Sequence, residues 1–146
     1  MIEANLHLVD FGLSSELESR VNSIYSISSN FQAMKNQFFT SKWVLSGHPY
    51  TKRDDVIAIV YNLLFLMDSQ DSWFATKLET EYSELVEFRL KADASEICGG
   101  NRCEALIPLY EEVYSYGLNE KPNYGKLKFL LEMELVDSFC KPDKFY

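Results

Sequence analysis

The sequence predicts a mainly helical protein folded as one domain, with one short strand or hairpin near the N-terminus. Three observations predict it. Between residues 54 and 136, four stretches carry apolar residues at helical spacing, bounded by caps and turn residues. Strand-like alternation is confined to Leu6–Val9. The chain of 146 residues is 47% hydrophobic and 14% aromatic, enough to bury one core, and no repeat, low-complexity run or interdomain linker divides it. Residues 1–146 are therefore read as a single domain.

Leu6 to Val9 is the strand, with His7 on the face opposite Leu6 and Leu8. Ser14 to Asn30, rich in Ser and Asn without a sustained period, reads as a long loop with seven serines and Tyr25 open to phosphorylation, or simply as a solvated segment. Phe31 to Trp43 is aromatic and mixed, a short strand or irregular backbone, and Ser46-Gly47-His48-Pro49-Tyr50 is a turn signal. Thr51 caps the next element, and Asp54 and Asp55 complement the positive end of its dipole. That element, about residues 54–67, is apolar on almost every face and belongs at the centre of the fold. Asp68 to Ser72 breaks it. Phe74 to Lys91 is an amphipathic helix whose Leu78, Tyr82, Leu85 and Phe88 form a core stripe. After the Gly99-Gly100-Asn101 loop, Cys103 to Tyr116 is a helix with Pro108 near its first turns and Gly117 at its stop. Pro122-Asn123-Tyr124 leads into a last helix running to about Val136, followed by an extended tail.

The net charge of -8 argues against nucleic acid and anionic lipid as partners. The longest apolar run, Val56 to Met67, is too short to span a bilayer, so no membrane association is expected. Three cysteines, Cys98, Cys103 and Cys140, do not suit a disulfide framework and fit a reducing, intracellular compartment, cytoplasmic or nuclear. The N-terminus has neither a basic stretch nor a long apolar run and is not a secretory signal. His7 and His48 show no metal-ligand spacing to a cysteine, and Cys98-x-x-x-x-Cys103 has no second pair to complete a zinc site.

Four stretches carry a resemblance. Leu8-Val9-Asp10-Phe11-Gly12-Leu13 ends a strand in Asp-Phe-Gly. Phe38-Phe39-Thr40-Ser41 is similar to a Tyr-Ala-Ser stretch. Lys52-Arg53-Asp54-Asp55-Val56-Ile57 is close to Arg-Arg-Asp-Asp-Leu-Glu, with Trp73 beyond it. Tyr116 to Tyr124 contains Lys121-Pro122-Asn123-Tyr124. In this order and spacing, spread over nearly the whole chain, they resemble the C-terminal lobe of casein kinase I-type protein kinases, the vaccinia-related branch included. The resemblance implies a kinase-like helical C-lobe bundle, with an activation segment at about residues 10–45 and a central helix at about 54–67. Three positions depart from the family pattern: Lys35-Asn36-Gln37 holds no glycine, Trp43 replaces an asparagine, and Val60 replaces a small residue.

The resemblance also implies roles. Asp10 is a magnesium ligand, with Phe11 and Gly12 beside the cofactor, only where an N-lobe completes the site. Asp55 braces the catalytic loop. Lys52 and Arg53 contact an anionic substrate. Read from the residues alone, Asp10 is a carboxylate ending a strand and Asp55 a helix N-terminal acid. Lys52 is a solvated base, and Arg53 and Asp54 are surface or local ion-pair residues. These residues encode no Gly-rich loop, no strand lysine and no His-Arg-Asp loop. Magnesium usually needs substrate phosphates as co-ligands. The isolated chain is accordingly expected to hold no ATP or magnesium and to be catalytically inactive. It reads as a truncated kinase lobe acting as a pseudokinase-type interaction module, with a protein partner or a second copy covering the central helix. The alternative is the C-terminal portion of an active Ser/Thr kinase whose N-lobe and catalytic loop lie upstream or on another chain.

Overall fold

A computed structural model describes residues 37–67, 82–99 and 103–140, and for Tyr82 and residues 134–140 the backbone alone. Every regular element among the described residues is helical. In chain order they are a 3-10 turn at Gln37–Phe39, α1 (Lys42–Leu45), α2 (Lys52–Met67), α3 (Tyr82–Lys91) and α4 (Ala94–Ile97). A second 3-10 turn at Glu104–Leu106 then leads into α5 (Ile107–Ser115), and α6 (Tyr124–Cys140) closes the series. No described helix is long and apolar enough to cross a membrane.

α2 is the axis of the core, as its composition requires. Val56, Ile57, Val60, Tyr61 and Leu64 share one face and are buried. They meet Leu106, Leu109, Tyr110 and Val113 of the α5 region, together with Ile97, Cys98, Cys103, Tyr116 and Leu127. Each fully buried aliphatic side chain contributes about 1.5–3 kcal/mol relative to exposure. Asn62, the one amide in the run, stays at the surface and donates to the Ala58 carbonyl at 2.7 Å. α5 lies along α2, and α6 packs on α5. Pro108 sits in the first turn of α5, where a missing N–H costs nothing.

The strand at Leu6–Val9, the loop Ser14–Asn30 and the break after Met67 lie outside the described residues. The Phe74–Lys91 helix is described from Tyr82 onward, with Leu85 buried and Phe88 packed on the core. The last helix runs four residues past Val136. The expectation of a short strand or irregular backbone up to Trp43 is corrected in its described part: Gln37–Phe39 is a 3-10 turn, and Lys42–Leu45 is helical. The physical reason is capping at both ends. Ser41 Oγ accepts from the Val44 N–H at 3.3 Å. At the other end Gly47 N–H donates to the Val44 carbonyl and His48 N–H to the Trp43 carbonyl, both at 2.9 Å, which is a Schellman closure. α4 is not among the helices that apolar periodicity predicts, although its signal is local. Asp93 and Glu96 form a reciprocal capping box.

Candidate functional site

The N-terminus of α2 gathers three of the four stretches that carried the family resemblance. Asp54, with 0% of its surface exposed, is the hub. One of its oxygens, Oδ1, accepts a hydrogen bond from Ser41 Oγ at 2.5 Å. The other, Oδ2, accepts from the Thr51 N–H at 2.8 Å and from Thr51 Oγ1 at 2.7 Å. A buried carboxylate is tolerable only with such donors. Thr51 precedes the helix as expected, but its hydroxyl donates to Asp54 rather than accepting from a helix N–H.

Arg53, 4% exposed, turns the other way. Its guanidinium carbon lies 3.5 Å from the centre of the Trp43 ring, and Nη1 donates to the Tyr116 carbonyl at 3.3 Å. Its Nε stands 3.8 Å from Asp54 Oδ1. Arg53 Nε and Nη2 make no hydrogen bond, so planar stacking on Trp43 carries much of this side chain's stabilisation. Trp43 stacks on Tyr114 at 5.0 Å, Tyr114 stacks on Tyr110 at 4.4 Å, and the Tyr61 and Tyr114 hydroxyls are 2.5 Å apart. Burial first, and then the neighbouring Tyr61, pushes the Tyr110 and Tyr114 phenols above their ordinary range. A second buried cation, Arg89 of α3, sits 3.7 Å over the Tyr61 ring and donates to the Thr40 and Phe38 carbonyls at 3.4 and 2.5 Å.

Of the expectation that Arg53 and Asp54 are surface or local ion-pair residues, the ion pair is present and the surface placement is corrected. Both are interior, because Trp43 and Tyr116 enclose the guanidinium while Ser41 and Thr51 satisfy the carboxylate. Lys52 is exposed, as the solvated-base reading expected. Asp55 is exposed too, on the side of the helix away from the buried Ile57, Val60 and Leu64. It stands in line with Ile59, Asn62 and Leu66, at successive spacings of four, three and four residues. On this outer face Ile59 is 56% and Leu66 73% exposed, and Phe65, also exposed, meets Phe39 edge-on at 5.8 Å. Asp10, Phe11 and Gly12 lie outside the described residues.

Residues of the fourth stretch close the far side of the site. Tyr116 Oη donates to Glu112 Oε1 at 2.8 Å and accepts from the Asn123 N–H at 3.1 Å. Lys126 of α6 pairs with Glu112 Oε2 at 2.5 Å. Chemically, the buried part of this arrangement is a clasp. Ser41 has a carboxylate beside it, and both groups are buried. The outer face of α2 is the exposed part. Sequence reasoning missed Trp43, Arg89 and the Tyr61–Tyr114 contact as members of the site. Arg89 and Thr40 are 49 residues apart, and Tyr61 and Tyr114 are 53, beyond the reach of any local signal. Comparison with protein-family models, with curated proteins and with solved structures finds no match.

Proposed function

We propose that this chain is a casein kinase I-like C-lobe that works as an interaction module, taking a protein partner or a second copy on the outer face of α2 and transferring no phosphate by itself. The observation that carries the reading is the row Asp55, Ile59, Asn62 and Leu66, in which two large aliphatic side chains stand in solvent on the helix that organises the core. Exposed apolar surface on a central helix marks a place where another surface sits. The meeting of the Phe38–Ser41, Lys52–Ile57 and Tyr116–Tyr124 stretches around Arg53 and Asp54 supports the family part of the reading.

The retained Asp10-Phe11-Gly12 favours a second reading, the C-terminal portion of an active Ser/Thr kinase. In that assembly Asp10 would hold magnesium on ATP, and Asp55 would brace the catalytic loop from the outer face of α2. Thermal unfolding of the purified chain with magnesium and ATP, alongside phosphate incorporation into casein, tests the proposal. Neither a shift in Tm nor incorporation is expected. Clear stabilisation by ATP, or labelled casein, would overturn it.

A further inference from the structure

We draw no further inference here: the strongest candidate, the exposed apolar patch at Phe129 and Met133 on α6, carries nothing because nothing in the structure shows what covers it.

Discussion

Asp54 shows how much a single side chain can decide. Its three donors come from Ser41 and Thr51, so it ties α1 to the start of α2. Ser41→Ala removes one donor and leaves the carboxylate buried, and should cost about 1–3 kcal/mol in urea unfolding. A double-mutant cycle of Ser41→Ala with Asp54→Ala should show strong coupling, since the two side chains share one hydrogen bond. Additive effects would mean that the bond contributes little. In the sequence Asp54 is only the third residue of a charged Lys-Arg-Asp-Asp run, the usual look of a solvated helix start. Its burial depends on Ser41, thirteen residues earlier. Arg53 and Arg89 were illegible for a related reason. Arginine is seldom fully buried, and these two lie against aromatic faces and reach carbonyls far away in the sequence.

At the scale of elements, the turn after α1 and the junction of α5 with α6 make separate tests. Gly47 has φ of 89° and closes α1, and a Cβ there would meet nothing within 4 Å. Gly47→Ala should therefore cost about 1–2 kcal/mol from backbone conformation alone. Gly47→Asn should cost less, because asparagine tolerates the left-handed region; equal losses in thermal unfolding would contradict this. At the other junction, the hydrogen bond from Lys126 holds the Glu112 carboxyl below the usual carboxylate range, against the opposing effect of burial and with help from Tyr116. A depressed folded-state pKa gives stability that is present above the unfolded value and lost as pH falls through the folded one. Stability should thus decline as pH drops below about 4.5, and Glu112→Gln should flatten that limb. An unchanged acid limb in the variant would refute the assignment. Added salt should weaken the effect, since Lys126 is half exposed. The long elements here were legible. α2, α5 and α6 announced themselves by apolar runs, Pro108 and the Pro122-Asn123 start. The short ones were not, because α1 and the 3-10 turns have too few residues to show a period.

For the whole molecule, the question is what a helical lobe does with a central helix that is buried on one side and greasy on the other. Val56, Ile57, Val60, Tyr61 and Leu64 organise the core, while Ile59, Phe65 and Leu66 remain outside. The sequence displayed the excess of apolar residues but not which of them the fold would leave uncovered; that was set by where α5 lies. In the reading proposed above, this outer face takes a partner or a second copy of the chain. The most direct measurement is multi-angle light scattering of the purified chain across a concentration series, beside an Ile59→Lys, Leu66→Lys variant. The account predicts concentration-dependent assembly of the native chain that the variant loses while keeping its helical content. A native chain that stays monomeric throughout, or a variant that assembles as the native chain does, would contradict it.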